Sequence, residues 1–233
     1  MTAAALTFPP LMQGEAVQGD VLEQAAMRAA GGCDAGLILH DLRDDRMAAA
    51  MVFAPDVPLA EAVTMLPLCG VGFQNALGAL APPEVAVHLD WDGGLRINGA
   101  SCGSLTMRAS GGDPTQVPDW LVVALTLPLW PQGDGGETPD QTALYAEGCA
   151  DVAPPTLLEA WARHTLNWIT RWEADGARPL HAEWRGLAHG IGEETVRSGH
   201  TGTYLGVDDR FGMLLRDAET THLIPLTTLL EAP

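Results

Sequence analysis

Gly99-Ala100-Ser101-Cys102-Gly103 fits G-x-S-x-G, the spacing at which serine hydrolases hold a nucleophile on a sharp turn between a strand and a helix. That chemistry needs a helix after the serine, whose N-terminus supports the oxyanion hole. Here a hairpin turn precedes the motif, and Ser104-Leu105-Thr106-Met107 after it reads as a strand. The pattern favours Ser101 as a small residue in a hairpin arm beneath a pocket. His181-Ala182-Glu183 matches the H-x-E that opens a zinc-deaminase signature, but no P-C-x-x-C follows, so it reads as a solvated helix face. The seven histidines form no H-x-H or H-x-x-x-H pair, and no metal site is expected.

Arg43 and Arg46 stand three apart behind His40-Asp41, in a polar segment between two apolar runs. Paired guanidiniums in a loop that overhangs a pocket can bind a carboxylate or phosphate. The competing reading, which the sequence favours, is a solvated loop balanced by Asp41, Asp44 and Asp45. Equally telling is a missing residue type. The 233 residues carry 30 Asp and Glu against 12 cations, and all 12 are arginine. With no lysine, a Schiff base, a Walker lysine and a lysine general base are all excluded.

A net charge of −18 with no basic run repels nucleic-acid backbones, so DNA and RNA are not expected partners. No apolar run approaches the length of a membrane span, and residues 1–12 lack the basic start of a secretory signal. Four widely spaced cysteines, Cys33, Cys69, Cys102 and Cys149, read as buried free thiols of a cytoplasmic protein.

The elements that must position these residues follow from periodicity. Asp20 and Glu23 cap a first helix that stops at Gly31-Gly32. Residues 35–40 and 47–54 read as neighbouring strands joined by the segment 41–46. Pro58 opens a helical stretch to about residue 80 that Pro67 must kink or interrupt. Alternation over 85–97, a turn at Asp92-Gly93-Gly94 and the Asn98-Gly99 turn predict a hairpin leading into a strand over 103–107. Residues 120–127 read as a buried strand, and the acidic, glycine-rich segment 131–141 as a surface loop. Thr156 and Glu159 form a capping box ahead of a stripe containing Trp161, Trp168 and Trp172, which reads as core. A second helix is expected over 179–188, then short strands over 201–207, 212–216 and 221–225, which suggest a small barrel or meander.

Taken in order, four stretches resemble the catalytic core of the biotin protein ligases, within the biotin and lipoate ligase superfamily. They are residues 46–55 with the helix after them, 89–99, 120–125 and 202–215. The second is similar to that family's K-W-P-N-D hairpin with its N-G turn, and the last to G-x-A-x-G-I-D-x-x-G-x-L-L. The resemblance implies an α/β (α+β) fold: a mixed sheet with flanking helices over 1–189, then a small Src-homology-3-like barrel over 190–233. It implies biotin, lipoate or ATP as ligands, a biotinyl or lipoyl carrier domain as partner, and a site formed by Arg43, Arg46, Trp91, Asn98, Gly99, Ser101 and Gly103.

The departures concern chemistry. The family's G-R-G-R-x-G-R loop is here His40-Asp41-Leu42-Arg43-Asp44-Asp45-Arg46, without glycine and with three acids. Only Trp91 of K-W-P-N-D is kept. Where the family places a catalytic lysine after the N-G turn, this chain offers Ala100 or Ser101. Three readings stand on these residues. The first is a ligase-like protein without the adenylating machinery, holding an acyl-type small molecule or a carrier domain behind the hairpin of Trp91 and Gly103. The second is an active acyltransferase or ligase with an altered site, for which the resemblance offers Cys102, because octanoyl transferases of the superfamily use a cysteine and no ATP. The third is a serine hydrolase acting through Ser101.

Overall fold

The computed structural model describes residues 6–131 and 140–231. Most of the expected surface loop, residues 132–139, lies outside the described residues. A seven-stranded mixed sheet runs in the order β1-β2-β3-β7-β6-β5-β4, with only β1 and β2 parallel. Its strands are β1 (Gln13–Ala16), β2 (Leu37–Leu42), β3 (Arg46–Phe53), β4 (Val87–Leu89), β5 (Gly94–Ile97), β6 (Ala100–Ala109) and β7 (Leu121–Pro128). Because side chains alternate across a strand, β3 and β7 feed two cores at once. Met47, Ala49, Met51, Val123 and Leu125 join the larger core beneath the helices. Ala48, Ala50, Val52, Val122 and Ala124 face the other way, against α1 (Val21–Ala30). The fold is the mixed α/β arrangement the sequence implies.

The cap of α1 is as expected: Asp20 accepts from the Glu23 backbone N–H at 3.0 Å. The long helical stretch divides into α2 (Leu59–Ala62) and α3 (Met65–Gly78). Pro67 falls in the first turn of α3, where its missing N–H leaves no helical bond unmade. One expectation fails. Helix α4 (Pro154–Asp175) starts earlier than the proposed capping box, at Pro154-Pro155, and no side chain caps it. Proline pre-sets the first helical turn without a donor, and Glu159 instead accepts from the Thr7 backbone N–H at 2.6 Å. Trp161 and Trp168 do belong to the core. Their indole N–H groups donate to the Cys69 carbonyl at 3.0 Å and to Asn75 Oδ1 at 2.8 Å, which fixes α4 against α3.

Helix α5 (Arg178–Leu187) leads to a four-stranded antiparallel sheet, ordered β11-β10-β9-β8. Its strands are β8 (Glu194–Arg197), β9 (His200–Val207), β10 (Met213–Arg216) and β11 (Thr221–Ile224). No helix among the described residues is long and apolar enough to cross a membrane.

Candidate functional site

Helix α1 covers only part of its face of the sheet. Beyond its N-terminus an open cleft of about 560 Å³ remains, lined by Gly19 to Leu22, Arg43, Arg46, Ala48, Thr106, Ala124, Thr126 and Glu231. Register explains the grouping: Ala48 lies opposite Thr126 across β3 and β7, and Thr106 opposite Ala124 across β7 and β6. Alanine and threonine at these positions leave a hollow that leucine or phenylalanine would fill.

The two arginines come from the turn above this floor. Asp41 and Leu42 extend β2 and Arg46 begins β3, so the turn between the strands is shorter than the polar segment suggests. The Arg43 backbone N–H donates to the Arg46 carbonyl at 2.9 Å and closes it. Asp41 is buried rather than solvated. It accepts from Arg43 Nε at 2.9 Å, Arg46 Nη2 at 3.3 Å and the Gly19 backbone N–H at 3.1 Å. The hydrogen bond from Arg43 holds its carboxyl below the usual carboxylate range, with help from Gly19 and both guanidinium charges and despite burial. The buried Nε of Arg46 has no acceptor among the described residues. At the far rim Glu231 reaches the cleft because its backbone N–H donates to the Met107 carbonyl at 2.9 Å, and its carboxylate lies 3.7 Å from Arg108.

The other residues singled out by sequence lie elsewhere. Trp91 is buried, and its indole N–H donates to the Phe211 carbonyl at 2.7 Å, joining the hairpin to the C-terminal sheet. The void beside it measures about 10 Å³, enough for at most one water. That void is too small for an acyl-type ligand. Asn98 and Gly99 form the tight turn, with φ of 52° and 91°. The Asn98 side chain accepts from the Ala86 N–H and donates to Glu147. Ser101 sits within β6, its backbone bonded to Asp140 and Thr142 at 2.8 Å, and no helix follows it. The strand-turn-helix geometry of a nucleophile elbow is absent from these residues. Gly103, at φ 98°, allows close packing, because a Cβ there would stand 2.3 Å from the Thr126 carbonyl oxygen. Cys102 is fully buried on the opposite face from the cleft, and burial pushes its thiol up to about 12, with Glu147 adding to the shift.

Sequence reasoning missed Thr106, Thr126, Ala48, Ala124 and Glu231. The available signal was a set of small residues alternating on one face of three strands.

The chain matches the Biotin/lipoate A/B protein ligase family over residues 8–186. The chain belongs to that family. Residues 191–232 match a domain of unknown function (DUF4444). Among solved structures, this family member is similar to a biotin protein ligase-like protein of unknown function from Silicibacter sp. TM1040. The two are 65% identical over 98% of this chain and 100% of that one, with a TM-score of 0.94. The biotin protein ligase of Aquifex aeolicus shares the fold at a TM-score of 0.74 and 15% identity, over 94% of this chain and 96% of that one. The Leishmania major biotin protein ligase in complex with biotinyl-5-AMP gives 0.58 and 16%, over 93% and 99%. A comparison with curated proteins finds no match. Among the described residues no group of three or more His, Cys, Asp or Glu is placed to hold a metal ion.

Proposed function

We propose that this family member binds a small acyl-type molecule in the cleft beyond α1 and does not activate it with ATP. The observation that carries the reading is Arg46: it lines an open cleft of about 560 Å³, spends one guanidinium nitrogen on Asp41 and keeps a side chain that is 36% exposed. A ligand carboxylate or carbonyl would accept from the exposed guanidinium N–H groups of Arg46, while Ala48 and Ala124 accommodate an apolar chain and the Thr106 and Thr126 hydroxyls bond to polar atoms.

The same residues do not suit a triphosphate. Both arginines at the cleft are already engaged by Asp41, and Asp20 and Glu231 add negative charge at the rim. No lysine exists to stabilise charge on a transferring phosphoryl group, and removing one such aimed donor typically slows a reaction by two or more powers of ten. A carrier domain bearing the acyl group is a second way to bring such a ligand to the cleft, which is open to its surroundings. Cys102 has no part in this reading, because it faces the opposite core as a neutral thiol.

The test is occlusion. Ala48→Trp fills the floor of the cleft, and calorimetry with octanoate, lipoate and biotin should lose whichever binding the unmodified protein shows. Binding that survives occlusion would place the ligand elsewhere.

A further inference from the structure

A second cavity lies at the end of the molecule away from the arginine turn, where β2 begins and β3 ends against α2 and α4. It encloses about 280 Å³. Its walls are the side chains of Met12, Met51, Phe53, Met65, Ile169 and Trp172, so its interior is apolar and adaptable. The lip is fixed. Leu11 adopts φ 69° and stands 92% exposed, and Gly36 leaves room for its carbonyl, which a Cβ would approach to 2.3 Å. Backbone bonds from Met12 to Pro9 and from Gln13 to Gly36 hold this lip.

Two charged side chains line the cavity, Asp56 and Glu173, and among the described residues no cation does. Neither carboxylate makes a hydrogen bond or ion pair among the described residues. The neighbouring Arg171 is turned elsewhere, over the Trp168 ring at 4.9 Å and toward Asp175 at 4.0 Å. An apolar cavity with an indole in its wall and uncompensated carboxylates at its edge is complementary to one kind of occupant. An apolar body fills the interior, and a positive head is held by carboxylate charge at the edge. The net charge of −18 adds long-range attraction of the same sign.

We propose that this cavity is a binding site for a small organic cation with an apolar body, an alkylammonium or quaternary ammonium compound. It is separate from the arginine cleft, which selects the opposite charge.

Calorimetry with octyltrimethylammonium, octan-1-ol and octanoate tests the proposal directly. The cation should bind roughly tenfold more tightly than the alcohol, and saturating octanoate should leave its affinity unchanged. Asp56 and Glu173 are exposed, so Asp56→Asn with Glu173→Gln should fold normally by circular dichroism and thermal denaturation. The double variant should bind the cation no better than the alcohol, and Glu173→Arg should weaken cation binding further. Absence of cation binding, equal binding of octan-1-ol, displacement by octanoate, or a cation preference that persists in the double variant would each overturn it.

Discussion

Asp41 lies in the fork of Arg43, which reaches its Oδ2 through Nε at 2.9 Å and through Nη2 at 2.7 Å. The anion partner of the two arginines in this turn is thus supplied by the chain itself. An external carboxylate must compete with it or use the guanidinium N–H groups that Asp41 leaves unengaged.

Replacing Asp41 with Asn should separate binding from stability. Freed guanidiniums should raise carboxylate affinity in the cleft about fivefold, equivalent to roughly 1 kcal/mol. Folding should weaken by about 1–3 kcal/mol, because buried charge-assisted bonds are lost. The folded carboxyl titrates below its unfolded value near 4, so its stabilisation is complete above that pH and is lost as pH falls through the folded value. Urea denaturation of both proteins should therefore show a gap at pH 7 that narrows below about pH 4.

Trp91→Phe removes the indole donor and leaves the buried Phe211 carbonyl unpaired. We expect a loss of about 1–3 kcal/mol in thermal or denaturant unfolding. Limited proteolysis should cut sooner near the junction with the C-terminal sheet, and ligand affinity in the cleft should not change. A large fall in affinity without a fall in stability would return Trp91 to the binding site.

The different fates of Trp91 and Arg46 show how far the sequence could be read. Asn98-Gly99, the Asp20 cap and the tryptophan stripe act locally, and each formed as its spacing implies. Strand β1, with the sequence Gln13-Gly14-Glu15-Ala16, has no apolar alternation and exists because its backbone pairs with Leu37 to His40. Such a strand is defined by its neighbour and leaves little trace in its own residues. The cleft is likewise non-local, since its floor joins positions 48, 106, 124 and 126 through register across three strands. Trp91 belongs to a motif, but an indole with one donor and a large apolar face serves equally well to join the hairpin to the C-terminal sheet.

Cys102 should behave as an inert core residue. With its thiol pushed up to about 12, roughly one molecule in ten thousand carries a thiolate at pH 8. Mass spectrometry after brief alkylation of the native protein should find the half-buried Cys33 modified and Cys102 untouched. Cys102→Ala should cost about 1 kcal/mol of stability and leave ligand binding intact. Loss of an acyl-transfer activity in this variant would instead support a cysteine mechanism.

The central claim is that the cleft binds an acyl-type molecule without activating it. It is tested most directly by incubating the protein with ATP, magnesium and octanoate, lipoate or biotin, and measuring acyl-adenylate by mass spectrometry beside calorimetric binding. The account predicts that at least one of the three acids binds to the unmodified protein and not to Ala48→Trp, with no acyl-adenylate formed. Acyl-adenylate released at the rate of an active biotin protein ligase run in parallel would contradict it.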